Sequence, residues 1–187
     1  RVANHLWVGN NYHHFSFGLQ HHEDDGGGSQ WAALVDPNGA ACGLIPAVPS
    51  EAIPSSMTGP AFESTGRIAW LDLTVPDAPA TRDFYRDVVG WSVEDVEMED
   101  ADGAYADYAL CTAEGTGVAG ACHARGVNQG LPPVWLLYLP VGDLEESVNR
   151  AREEGGDIVR VKTGKSGEAA YAVVRDPVGA CFALVPG

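Results

Sequence analysis

An internal repeat is the feature of this chain that most restricts the folds open to it. Between Gly66 and Gly187 the order of one strand, one helix and three strands occurs twice. A repeated supersecondary unit of this kind folds by packing each copy against its neighbour. We therefore expect an α+β fold made of two βαβββ modules, residues 66–126 and 127–187.

Local signals mark the start of each module. An alternating β run over 67–75 is followed by Asp77, which is well placed to cap the helix that begins near Pro79. The second module opens with a strand over 134–140, and Asp143 with Glu146 has the spacing of a capping box. Each helix is therefore predicted to begin directly after the first strand of its module.

A second repetition reaches into the N-terminal part. Residues 31–46 resemble residues 171–186 and share with them a D-P-x-G-A turn between apolar stretches, which predicts the same two-strand hairpin. We interpret residues 1–47 as a partial β module that resembles the end of a preceding copy. Residues 48–65 are rich in Pro, Ser and Gly and are predicted to be a linker.

The first 20 residues do not show the helical pattern that such a copy would need. Residues 6–8 and 15–19 are short strand candidates instead. We expect this segment to pack on the complete unit or on another subunit.

The charge balance restricts the partners. The chain has 26 acidic and 11 basic side chains and a formal net charge of -15, so nucleic acid and anionic membranes would be repelled, whereas a cationic ligand would be attracted. No apolar run reaches the roughly 18–20 residues of a membrane span, and no basic-then-apolar leader is visible. The four cysteines lack a C-x-x-C spacing and are read as buried thiols. The expected location is the cytoplasm.

One glycine motif has the spacing found in dinucleotide-binding proteins. Residues 115–120 match the pattern G-x-G-x-x-G, but they lie between two predicted strands and open no helix. A dinucleotide site is therefore not expected there.

Several stretches together carry a family resemblance. They are residues 70–77 (WLDLTVPD), Phe84-Tyr85 with Gly90-Trp91, residues 132–139 (PPVWLLYL), Gly155-Gly156, and Asp176-Pro177 with Gly179-Ala180. In this order they resemble the vicinal oxygen chelate superfamily, which includes glyoxalases, bleomycin resistance proteins and extradiol dioxygenases. The resemblance implies a curled mixed sheet around a cleft, but this scaffold hosts unrelated chemistries.

The resemblance also says where metal ligands would stand. Metal-dependent members place His, Gln or Glu on the first and last strands of each module. The corresponding positions here are Trp70, Trp135 and Ala183, and the fourth lies near Ala121 or His123. Indole and methyl groups offer no lone pair to a cation. The chain thus resembles the tandem-domain, hydroxylase-like branch without metal ligands, and we predict no metal and no cofactor.

A metal-free cleft would bind its ligand through side chains. Two indoles facing a concave sheet would suit a planar or cationic molecule. Strand alternation places Asp72 beside the first indole and puts two further side chains on one face of their strand. The predicted ligand-binding residues are Trp70, Asp72, Trp135, Tyr105, Asp107, His123 and Ala183.

Three hypotheses remain open from the sequence. The first is a protein of the glyoxalase/bleomycin-resistance type that binds a small aromatic or cationic molecule without metal. The second is a divalent-metal-dependent lyase or dioxygenase that acts on a substrate with vicinal oxygens. Its ligands could come from a partner chain or from the N-terminal histidines: His5, His13, His14, His21 and His22. The third is a non-catalytic assembly module whose cleft is filled by its own N-terminal strands. Paired modules of this kind also lead us to expect a homodimer.

Overall fold

The structure is a computed structural model that describes residues 20–23, 29–46, 50–52, 65–164 and 167–187. Ser50–Ala52 forms a single 3₁₀ turn. The strand candidates at 6–8 and 15–19, and most of the linker at 48–65, lie outside the described residues.

The repeat is present as two modules with the same order of elements. The first consists of β4 (Trp70–Val75), α1 (Ala78–Val89), β5 (Ser92–Asp100), β6 (Gly103–Cys111) and β7 (Gly117–His123). The second consists of β8 (Trp135–Val141), α2 (Leu144–Glu153), β9 (Asp157–Thr163), β10 (Ala169–Arg175) and β11 (Cys181–Pro186). The predicted pair of βαβββ modules is confirmed.

All eight strands of the two modules form one mixed sheet in the order β5-β6-β7-β4-β8-β11-β10-β9. Within each module the first strand pairs in parallel with the last, and between modules β4 pairs antiparallel with β8. The sheet does not close on itself, in agreement with the predicted curled sheet. Neither helix is long and apolar enough to cross a lipid bilayer, and the same holds for every helix among the described residues.

The predicted caps determine where the helices begin. Asp77 Oδ1 accepts the Ala80 N–H at 3.0 Å, and Asp143 Oδ1 accepts the Glu146 N–H at 2.8 Å, so each satisfies one of the unpaired donors of a first helical turn. Gly90 ends α1 with φ +82, a conformation that favours glycine.

Both helices cover the same face of the sheet. The core beneath α1 includes Leu73, Val75 and Tyr85, and the core beneath α2 includes Val148 and Leu184. The opposite side is called the helix-free face here, and its central residues are Trp70, Asp72, Leu136, Tyr138 and Ala183. This face has its own apolar cluster, which includes Leu136 and Ala183, and the polar Asp72 lies directly opposite Leu136.

The N-terminal strands repeat the last three strands of the second module. They are β1 (Gln20–Glu23), β2 (Ser29–Val35) and β3 (Ala41–Leu44), and they form a separate three-stranded sheet. Every pairing matches one in β9-β10-β11 with residue numbers that differ by 140, so that Ala32 faces Leu44 as Ala172 faces Leu184. The irregularity in the pairing of β1 with β2 recurs at the equivalent place. The similarity predicted for residues 31–46 therefore extends to backbone register.

The turn between β2 and β3 docks on α1. Asp36 Oδ1 accepts the backbone N–H groups of Asn38 and Ala40, both at 2.8 Å, which leaves its second oxygen to face the helix. The Tyr85 hydroxyl donates to Asp36 Oδ2 at 3.4 Å, and Asn38 Nδ2 donates to Thr81 Oγ1 at 2.8 Å. The buried Ala40 completes the core beneath α1.

We predict that Tyr85→Phe destabilises the fold through this junction. The Tyr85 hydroxyl donates to Asp36 and accepts the Trp135 Nε1–H at 2.9 Å, so its removal leaves a donor and an acceptor without partners. The expected loss in the free energy of unfolding is about 1–2 kcal/mol, measured by urea denaturation. Tyr108→Phe is the matched control and should cost less than about 0.5 kcal/mol. Equal effects of the two substitutions would contradict the assigned role of the Tyr85 hydroxyl.

Candidate functional site

The pairing of β4 with β8 decides which side chains share the helix-free face. Trp70 lies opposite Tyr138, and Leu73 lies opposite Trp135. Directly opposed residues on antiparallel strands point to the same side of a sheet. Since Leu73 belongs to the core beneath α1, Trp135 must point to the helices. The expectation that Trp70 and Trp135 face one cleft is wrong.

The helix side provides Trp135 with its own partners. Its ring lies 5.1 Å from the Tyr85 ring at an interplanar angle of 76°, and its N–H bonds to the Tyr85 hydroxyl. The position equivalent to Trp70 is Leu136, because each stands seven residues before the N-cap of the following helix. Counting back from the two predicted caps is the sequence signal that would have revealed this.

A glycine of β7 makes room for the Asp72 carboxylate, and a second one lies beside the Trp70 ring. A Cβ atom at position 117 would lie 3.4 Å from Trp70 Cη2, and one at position 120 would lie 2.2 Å from Asp72 Oδ1. Gly115 occupies the preceding turn with φ +82. The first glycine of the G-x-G-x-x-G pattern therefore serves the turn and the last one the carboxylate, and the pattern opens no helix.

Asp72 is the centre of the site. It lies on the same face as Trp70, whose Nε1–H donates to Asp72 Oδ1 at 2.8 Å, as alternation predicted. Burial raises the pKa of Asp72 above its ordinary value, hydrogen bonds with Trp70 and Tyr138 oppose this, and the nearby charge of Asp107 adds to the increase. The Asp72 carboxyl group is thus costly to ionise in this environment.

Two neutral proton donors adjoin this carboxyl group. Burial raises the pKa of the Cys122 thiol, and the charges of Asp72 and Asp107 raise it further. Burial also raises the pKa of the Tyr138 hydroxyl, with Asp72 as the next cause. Both groups stay protonated at neutral pH, so they offer hydrogen bonds rather than negative charge.

Three further predicted residues form one cluster at the module-one end of the face. Asp107 Oδ1 accepts the His123 backbone N–H at 2.7 Å and lies 3.1 Å from His123 Nδ1, while its Oδ2 lies 3.4 Å from Asn128 Nδ2. The Tyr105 ring packs edge-on against His123, at 5.6 Å between centroids, and its hydroxyl is buried with no hydrogen-bond partner among the described residues. Both carboxylate oxygens of Asp107 therefore have polar partners within the protein.

Module two supplies aromatic and apolar surface. The Tyr138 and Tyr171 rings are 6.0 Å apart at 65°. Ala183 lies opposite Tyr138 and is fully buried, in a cluster with Leu136 and Val173. Its methyl group is part of the floor beneath the two tyrosines.

Titratable side chains therefore run across the face from one module to the other, and we call them the polar row. Each of the five comes from a different strand, and charge or hydrogen-bond interactions connect all of them through Asp72. Sequence reasoning identified the two aspartates and missed the thiol and the two phenols. The polar row consists of Asp107, Cys122, Asp72, Tyr138 and Tyr171.

The donors on this face do not suit a divalent cation. Trp70 and Ala183 offer no lone pair, and the Cys122 thiol is protonated. Nowhere in the described residues do three or more His, Cys, Asp or Glu side chains come together as a metal site would need. His5, His13 and His14 lie outside the described residues, so a metal site built from them stays a prediction.

Comparison with known proteins places the fold. The family model of the "Glyoxalase/Bleomycin resistance protein/Dioxygenase superfamily" matches residues 67–184. "Anthracycline biosynthesis protein DauV" of Streptomyces sp. (strain C5) is 30% identical over 131 residues, which cover 64% of this chain and 46% of that protein. "Putative glyoxylase CFP32" of Mycobacterium tuberculosis is 28% identical over 116 residues, covering 62% and 43%. The chain spans less than half the length of these relatives.

Solved structures with a similar chain path include two enzymes. Homoprotocatechuate 2,3-dioxygenase from Arthrobacter globiformis has a TM-score of 0.48 at 15% identity, covering 91% of this chain and 54% of that one. Methylmalonyl-CoA epimerase from Mycobacterium tuberculosis has a TM-score of 0.38 at 19% identity, covering 66% and 92%. At this level of similarity, the activities of these two enzymes are not assigned to this chain.

We predict that Asp72→Asn stabilises the protein at neutral pH by an amount that shrinks on acidification. The raised pKa means that the folded state binds this proton more tightly than the unfolded chain, so stability is greatest with Asp72 protonated and is lost as pH rises through the folded pKa. Asparagine keeps the acceptor for Trp70 and removes the buried charge. Urea denaturation of both proteins from neutral pH down to about 3.9, the ordinary aspartate pKa, checks this.

The control is Asp95→Asn, which removes an equal charge from an exposed position on β5. It should change the free energy of unfolding by no more than about 0.5 kcal/mol. A difference between wild type and Asp72→Asn that did not vary with pH would contradict the assigned environment of Asp72.

Proposed function

The chain belongs to the glyoxalase/bleomycin resistance protein/dioxygenase superfamily, and from that premise we propose that it binds a small planar aromatic molecule on the helix-free face without a metal ion. The observation that carries the proposal is that the Asp72 carboxyl group shares one face with the rings of Trp70, Tyr138 and Tyr171. The predicted superfamily is confirmed by the family match. The ligand class is our inference from the site.

The side chains on this face are suited to a flat ligand that carries hydroxyl or amino groups. Aromatic rings provide large apolar contact at low entropic cost. Trp70 is held in place by its hydrogen bond to Asp72, so little order has to be imposed on this ring when a ligand binds. Asp72 can accept from a ligand hydroxyl or ammonium, and the neutral groups beside it can donate.

The names of relatives fit this ligand class. Two similar proteins, from Streptomyces sp. (strain C5) and Streptomyces peucetius, are named anthracycline biosynthesis proteins, and an anthracycline is a planar fused-ring aromatic compound. Because the chain spans less than half of each, we propose only that this part binds a molecule of similar shape. A cationic substituent would fit the net charge of -15.

We also propose an organisation for the whole chain. Residues 66–187 form the complete two-module domain, residues 48–65 link it to the N-terminal part, and residues 1–47 are the end of a further module. The shared register of β1-β2-β3 and β9-β10-β11 supports this. The acidic charge supports a protein with no nucleic-acid or membrane partner, four free cysteines suit a cytoplasmic location, and paired modules suit a homodimer.

We predict that the affinity for a planar aromatic ligand depends on Trp70 and not on Trp135. Alizarin, a planar dihydroxyanthraquinone, should bind the wild type in isothermal titration calorimetry, and Trp70→Leu should weaken binding by about tenfold because it removes a stacking surface and releases Asp72. Trp135→Phe is the matched control on the helix side and should leave the affinity unchanged. Equal weakening by both substitutions, or none by Trp70→Leu, would sink the proposed site.

We predict that protein purified without a histidine tag contains well below one equivalent of zinc, nickel, iron or manganese. The described residues of the helix-free face offer too few electron-pair donors to retain an ion through purification. Elemental analysis after dialysis without chelator measures the content. One tightly held equivalent would instead favour the metal-dependent lyase or dioxygenase.

A further inference from the structure

Arg160 of β9 lies on the helix-free face, at the end opposite Asp107. It pairs with Val173 of β10, and Val173 belongs to the apolar cluster of that face together with Leu136 and Ala183. Directly opposed residues share a side of the sheet, so the Arg160 side chain extends the polar row by one strand. Its Nη1 donates to the Gln129 carbonyl oxygen, and the other guanidinium donors have no hydrogen-bond partner within the described residues.

Tyr171 lies between the acidic and the basic end of the row. Burial raises the pKa of its hydroxyl, Arg160 lowers it and Asp72 raises it, so both charges act on the same phenol. Tyr171 also lies opposite Lys162, which brings a second cation to this end. The face is thus acidic around Asp72 and basic around Arg160, with two tyrosine rings between.

Arg160 is a basic side chain on this face of a chain with 26 acidic and 11 basic side chains. No carboxylate among the described residues forms an ion pair with it. Arg82, Arg86, Arg125 and Arg150 do have such partners in the described part of the chain, whereas Arg152 and Arg175, like Arg160, have none there. A planar guanidinium with free donors is the side chain best suited to hold a carboxylate by two parallel hydrogen bonds.

We propose that Arg160 binds an anionic group, a carboxylate in the first instance, on the same aromatic ligand whose polar edge meets Asp72. This inference rests on the proposed function and adds the charge pattern of the ligand. The rings would lie over Tyr138 and Tyr171, with the acid at the module-two end. The net charge of -15 alone predicts the reverse, namely a preference against anions.

A matched pair of probes separates the effect of the positive charge of Arg160 from the effect of the protein's negative net charge. Anthraquinone carboxylate and the neutral anthraquinone carboxamide have nearly the same shape and differ in charge. The carboxylate should bind the wild type about tenfold more tightly than the carboxamide in calorimetry at low salt, as expected for a charge-assisted hydrogen bond. Arg160→Gln should abolish this preference by weakening the binding of the carboxylate far more than that of the carboxamide.

Two further variants make the test specific. Arg152→Gln removes an equal charge from the exposed face of α2 and should keep the preference. Arg160→Lys keeps the charge without the planar fork and should retain part of the preference, provided that its thermal unfolding matches that of the wild type. Agreement of all three variants with these expectations supports the assignment.

Other outcomes overturn it in distinguishable ways. Equal affinity of the two probes for the wild type, or a preference that survives Arg160→Gln, would refute the role of Arg160 while the aromatic site stands. Failure of both probes and of alizarin to bind would refute the proposed function and this inference with it.

Discussion

The antiparallel pairing of β4 with β8 joins the two halves of the sheet, and its register assigns every side chain of both strands to a face. Trp70 opposite Tyr138 and Leu73 opposite Trp135 are two consequences of one alignment. A shift by a single residue would exchange the faces and expose the core beneath α1, so that core fixes the register. The register that buries the apolar residues beneath α1 therefore also decides which side chains line the helix-free face.

Asp72 shows how the fold sustains a polar centre on such a sheet. A buried carboxylate is unfavourable, and here the Trp70 indole, the Tyr138 hydroxyl and the Cys122 thiol stand around it. Gly120 provides the space that any larger residue would take from its oxygen. These hydrogen bonds offset only part of the cost of burial, because the pKa of Asp72 remains raised.

The sequence predicted local features well and long-range pairing poorly. The caps Asp77 and Asp143 depend on contacts within four residues, and the hairpin repeat at 31–46 depends on a short turn, so both could be recognised. Alternation correctly placed Asp72 beside Trp70. The place of Trp135, and the presence of Tyr138 and Tyr171 in the site, depend on strand registers that are set by distant residues and are not visible in either strand alone.

The most direct test of this account is a crystal structure of the protein soaked with alizarin. The account predicts ring density on the helix-free face, in contact with Trp70 and Tyr138 and with a hydroxyl within hydrogen-bond distance of Asp72. Density beside Trp135 and Tyr85, or a helix-free face already filled by the protein's own N-terminal residues, would contradict it.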